Sequence, residues 1–176
     1  MFLYKEHYLQ KGARESLTAA VNQIMKRRQA IPAFICIGSD RHILDCFGPL
    51  VGTLLKEKRP DLLVYGTLDN PLHAKNLASE LQQIKRRHPV RVDIAIDASI
   101  GNEEEIGTIK LKEGALFPGR ALARKLPAIG DFSLVGIVGT SIDKKSPKTL
   151  HYGSIAPVFY MARLISDAVA ECCTWL

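Results

Sequence analysis

Two aspartates in this sequence have the type and setting to do chemistry together. Asp45 stands three residues before the Gly48-Pro49 turn, just ahead of an apolar helical segment, and Asp97 closes the alternating run that starts at Val90. Two carboxylates a few ångströms apart resist double ionisation, so one stays protonated as an acid while the other is available as a base. Such a pair suits activation of water against an amide. The same pair can instead hold a divalent cation whose bound water becomes the nucleophile. The competing structural reading makes Asp45 a helix-capping residue and Asp97 a turn former.

Other residues compete for a place in the same crevice. His73, expected at the start of a helix, is a candidate third metal ligand or proton carrier, against the plainer role of a residue that bonds locally or faces water. Asp69 ahead of that helix has the same two readings, and the helix dipole favours the plainer one. Cys46 lies at a helix N-terminus, which favours a thiolate, but adjacent Asp45 opposes it and no His is linked to it in sequence. Gly38 and the loop after it could cradle phosphate, yet neither a G-x-G-x-x-G run nor a Walker lysine is present.

The elements that must position these residues follow from apolar periodicity. Leu17, Val21, Ile24 and Met25 predict an amphipathic helix over 14–28, ending in Lys26-Arg27-Arg28. Residues 33–38 form a short apolar run ending at Gly38, as in a strand covered on both faces. Gly48-Pro49 opens a helix with Pro at its first position, where the missing N–H does no harm. A strand follows at Leu62 to Gly66, then a helix carrying Leu77, Leu81 and Ile84, then the strand ending at Asp97. A short strand is expected at Gly107 to Leu111, another at Ser133 to Gly139, and a closing helix carries Val158, Met161, Ala162, Ile165, Ala168, Val169 and Cys172.

Alternating strands and helices predict an α/β domain with a parallel sheet and helices on both faces. Ligands then bind beyond the carboxyl ends of the strands, where the first strand commonly lies beside the third. In this chain that order makes neighbours of the loops after Gly38 and Ile96.

Composition narrows the class of protein. The chain has 176 residues, 47% apolar and 24% charged, with 13 Gly and 9 Pro. Those values exclude collagen-like and low-complexity chains. Twenty-four Lys and Arg against 18 Asp and Glu leave a net charge of +6. Basic runs at Lys26 to Arg28, Lys85 to Arg87 and Arg120 to Lys125 raise a nucleic-acid reading, but they lack interleaved aromatics and fit solvated faces. No apolar stretch reaches the roughly 18 residues of a membrane span. Four cysteines without a C-x-x-C motif, and no signal segment, predict a reducing cytoplasm.

Longer blocks carry a resemblance. Ile37-Gly38-Ser39-Asp40, Asp45 to Gly52, Tyr65-Gly66-Thr67-Leu68-Asp69-Asn70-Pro71-Leu72-His73-Ala74, Ala95-Ile96-Asp97-Ala98 and Leu126 to Asp131 stand in an order that resembles the YyaC family of sporulation proteins. That family is related to the bacterial spore germination protease and, more distantly, to the hydrogenase maturation proteases. The resemblance implies a three-layer α/β sandwich with a mostly parallel central sheet, phosphorylase/hydrolase-like. It implies that Asp45 and Asp97 match the proposed catalytic pair of the germination protease. In the maturation proteases the equivalent acids, with a later His, bind nickel; no clear match for that His is found here. Pro118-Gly119-Arg120-Ala121 departs from the Pro-Gly-Ala-Gly of YyaC-type relatives, and Cys46 replaces a small Ser or Ala.

The expectation is therefore one α/β domain over 1–176, with a helical extension over 1–30 and a protease-like core over 31–173. Its expected function is a sporulation- or germination-associated endopeptidase with Asp45 and Asp97 as catalytic residues, supported by Gly38, Gly48, Pro49, Asp69 and His73. No cofactor is required in this reading, a divalent metal being the alternative of a maturation-type peptidase. A noncatalytic binding protein on the same fold is the third option. The expected partner is a protein or peptide substrate, with spore proteins the first candidates, and neither nucleic acid nor a membrane.

Overall fold

The computed structural model describes residues 2–118, 127–140 and 154–172. The Gly119 to Ala121 departure, the Arg120 to Lys125 run and Cys173 lie outside them. In chain order the described elements are β1 (Phe2–His7), α1 (Ala13–Arg28), β2 (Pro32–Cys36), α2 (Phe47–Lys58), β3 (Leu63–Tyr65), α3 (Leu77–Arg87), β4 (Val92–Gly101), β5 (Thr108–Glu113), β6 (Phe132–Thr140) and α4 (Ile155–Cys172). A 3₁₀ turn at Glu103–Glu105 joins β4 to β5.

One six-stranded sheet runs in the order β1-β5-β6-β4-β2-β3. β2 pairs in parallel with both β3 and β4, and β4 pairs in parallel with β6. β5 runs antiparallel to β6 on one side and to β1 on the other, so the sheet is mostly parallel. The order places β2 beside β4, as the switch-point argument requires.

Alternation along the strands divides two cores. Phe34, Cys36, Ile94 and Ile96 face a layer made by α1, α2 and α4, whose buried members include Leu17, Ile24, Val51, Leu55, Met161, Ile165 and Val169. Ala33, Ile35, Ile37 and Ala95 face the other way, under Leu77 and Ile84 of α3. Helices on both faces of a central sheet make the three layers. β2 is wholly buried, which is why it reads as an unbroken apolar run.

Three expectations are corrected in detail. The first thirty residues hold the expected helix but also β1, an edge strand paired with β5 from Phe2↔Lys112 to His7↔Thr108, so they belong to the sheet as well as to its helical layer. The helix expected to open at Gly48 starts at Phe47, which puts Pro49 at the third helical position, still within the turn whose N–H groups have no helical acceptor. And β4 does not stop at Asp97: it continues to Gly101, because β6 accompanies it as far as Thr140. No described helix is long and apolar enough to cross a membrane.

Candidate active site

The site is built where β2 ends and β4 does not. Ile37 donates its N–H to the Ile96 carbonyl at 2.7 Å, and one residue later Gly38 leaves β4 and donates to the Leu72 carbonyl at 2.8 Å. Asp97, the next residue of β4, thus lies past the last β2 partner, at the crevice. Gly38 has φ of 146°, a conformation closed to most side chains, and a Cβ there would collide with the Asp45 carbonyl. A Cβ on Gly48 would collide with the Ile37 backbone. These glycines allow the first turn of α2 to sit directly on the end of β2. Behind them, Gly136 of β6 leaves the slot filled by the Phe47 ring, which anchors the same turn from below.

Asp45 occupies the loop immediately before this helix. Its N–H and that of Cys46 both donate to the His42 carbonyl, at 3.0 and 2.9 Å, and its own carbonyl accepts from Ser39 at 3.1 Å. The N-cap is Cys46, not Asp45, and no side chain caps the helix. Asp45 is therefore not the expected helix cap. Asp97 is not a turn former either, being an interior residue of a ten-residue strand. Neither carboxylate thus has the cap or turn role weighed for it from the sequence.

The two carboxyl groups interact. Burial, then the charge of Asp45, push the Asp97 carboxyl up to about 8, against the lowering effect of the Ala98 N–H, which donates to its Oδ1 at 2.8 Å. Asp45 keeps an exposed face. Its carboxyl is also raised by burial, but His42, His73 and the Ser39 N–H all favour the ionised form. The environments separate the pair into a proton-holding Asp97 and the more readily ionised Asp45.

His73 is beside this pair because it follows Leu72, the residue that receives the Gly38 N–H. It lies four residues before α3 rather than at its start. Its backbone bonds locally: its N–H donates to Asn76 Oδ1 at 2.9 Å and its carbonyl accepts from Asn76 and Leu77. Its ring Nδ1 is buried without a hydrogen-bond partner among the described residues. Asp69 is too far from Leu77 to serve the α3 dipole, and lines a cavity with His73 instead. Sequence reasoning passed over His42, whose only signal was its place three residues before Asp45.

Cys46 donates its thiol to the Ile43 carbonyl at 3.0 Å, and burial followed by the Asp45 charge raises its pKa, the opposite of nucleophile activation. Cys36 and Cys46 are free thiols. Among the described residues no three His, Cys, Asp or Glu side chains are grouped to hold a metal ion.

The fold is that of a three-layer α/β protein with a mostly parallel central sheet, and its architecture is similar to that of a maturation protease. A crystal structure of the NiFe hydrogenase maturation protease HycI from Thermococcus kodakarensis KOD1 superposes with a TM-score of 0.58 over 86% of this chain and 97% of that one, at 17% identity. The chain itself belongs to the family described as protein of unknown function, DUF1256, whose model matches residues 3–168. A relative, the Bacillus subtilis (strain 168) protein YyaC, is 34% identical over 139 residues, 78% of this chain and 68% of YyaC.

Proposed function

We propose that this protein is a peptidase in which Asp45 and Asp97 act on water as unequal carboxylates. The observation that carries this reading is the burial of the Asp97 carboxyl at the end of the β2–β4 pairing, which together with the charge of Asp45 pushes it up to about 8. At neutral pH ionised Asp45 takes a proton from water as it attacks a scissile carbonyl. Protonated Asp97 hydrogen-bonds the carbonyl oxygen and passes its proton toward the departing amine. Gly38, Gly48 and Pro49 hold the turn that presents Asp45.

The maturation-type alternative has Asp45 and Asp97 hold a divalent metal, with or without His73. Among the described residues no group of three ligands is found, so the steps above are written for the carboxylates alone. A role in sporulation or germination, inside the sporulating cell and with spore proteins as substrates, extends the same proposal through the YyaC resemblance. The test is incubation with acid-soluble spore proteins, with and without a chelator, followed by mass spectrometry of the products. Cleavage that survives chelation supports the carboxylate pair. Cleavage lost on chelation and restored by a divalent ion replaces it with the metal reading, and no cleavage of any protein substrate leaves the binding-protein alternative.

A further inference from the structure

A cavity of about 780 Å³ opens next to His73, walled by Val64, Tyr65 and Gly66 at the edge of the sheet and by residues of α2, α3 and the loop before α3. Its charge is opposite in sign to that of the whole chain. Glu57 of α2, Asp69 of the loop and Glu80 of α3 all line it, and none of these carboxylates has an ion-pair partner among the described residues. The lysine in the lining, Lys56, is already engaged, its Nζ donating to the carbonyls of Pro60 at 2.9 Å and Leu62 at 3.2 Å. The chain carries +6 overall, yet this recess, lined by His73, is acidic.

β3 supplies the second feature. Among the described residues it is the terminal strand of the sheet, paired with β2 alone, which leaves its outer edge for an added strand. The volume matches sites that take a small ligand or a few residues of a peptide rather than one ion. A bare cation is further disfavoured by the lack of a three-ligand group. Phosphate-bearing ligands would meet like charge.

We propose that this cavity takes the lysine or arginine side chain of an extended peptide laid along β3, which makes basic peptides the substrate class. The inference rests on the peptidase reading above. His73 joins the two regions: it lines the cavity, and its charge favours the ionised form of Asp45. A cation among unpaired carboxylates forms charge-assisted hydrogen bonds, stronger than neutral ones.

The test uses the full chain and fluorescent threonine-rich peptides that differ at one central residue: lysine, arginine, norleucine or glutamate. Anisotropy should show the lysine and arginine peptides binding about tenfold or more tighter than the norleucine peptide, with glutamate weakest. The Glu57→Gln/Asp69→Asn/Glu80→Gln variant should lose that preference while still folding. If the triple variant does not fold, the single variants Glu57→Gln and Asp69→Asn, at exposed positions, should each reduce it. Equal binding of all four peptides, no binding of any, or a preference that survives the substitutions overturns the proposal. Mass spectrometry of the same samples reports on the peptidase reading separately. Selective binding without cleavage removes that reading and keeps the pocket, whereas cleavage without charge selectivity does the reverse.

Discussion

The Gly38 N–H donates to the Leu72 carbonyl at 2.8 Å, and that bond sets His73, the next residue, beside Asp45. The charge of His73 favours the ionised form of Asp45. His73→Ala removes that support, so the Asp45 carboxyl rises further and the acid limb of the kcat/KM profile moves to higher pH. Peptide turnover measured across pH checks this. An unmoved limb takes His73 out of the mechanism.

Asp45→Asn and Asp97→Asn each keep shape and some hydrogen bonding but cannot ionise. Each should lower turnover of a defined peptide by about 10²-fold or more, the scale of a lost acid or base. Because the two act as one unit, the double variant should be little worse than either single one. A folded single variant with near-normal turnover excludes that aspartate.

The raised Asp97 pKa has a thermodynamic sign. In the unfolded chain an aspartate titrates near ~3.9, whereas in the fold this one titrates near 8. Between those values the native state binds more protons than the unfolded state. Asp97 therefore costs progressively more stability as pH rises through that window, and the cost levels off above the folded value. Asp97→Asn should raise Tm relative to the wild type at pH 8 and change it little at pH 4. Equal Tm differences at both pH values would show that Asp97 is not held protonated. The same titration predicts that turnover falls as pH passes above about 8, where the acid is lost.

Gly48→Ala places a methyl group against the Ile37 backbone, which cannot move without disturbing the β2–β4 pairing. The cost should be about 1–3 kcal/mol. Tm should fall by roughly 2–4 °C for each kcal/mol in a chain of this size. Thermal unfolding measures it, and an unchanged Tm contradicts the close packing of α2 on β2.

Cys46→Ser should keep turnover near wild type, since burial and Asp45 keep its thiol protonated. Loss of activity with the fold intact would instead make Cys46 a participant.

Most of the helices and inner strands were legible because their signal is local. Leu77, Leu81 and Ile84 repeat at helical spacing, and all of β2 is apolar, whatever the rest of the chain does. β1 was not legible. Only Phe2-Leu3-Tyr4 is apolar before Lys5-Glu6-His7, and the strand exists through its pairing with β5, about a hundred residues away in sequence. The reach of β4 past Asp97 was missed for the same reason, as was the start of α2 at Phe47, which depends on the slot at Gly136.

The sequence by itself determined the alternation of strands and helices, the buried character of β2, and the two aspartates that strand-end topology would bring into one crevice. Only the tertiary structure decided that Asp45 is not a cap, that Asp97 lies within a strand, and that burial with the charge of Asp45 pushes the Asp97 carboxyl up. Periodicity and turn chemistry are written in neighbouring residues, whereas ionisation depends on the water that folding excludes and the charges it brings close from distant parts of the chain.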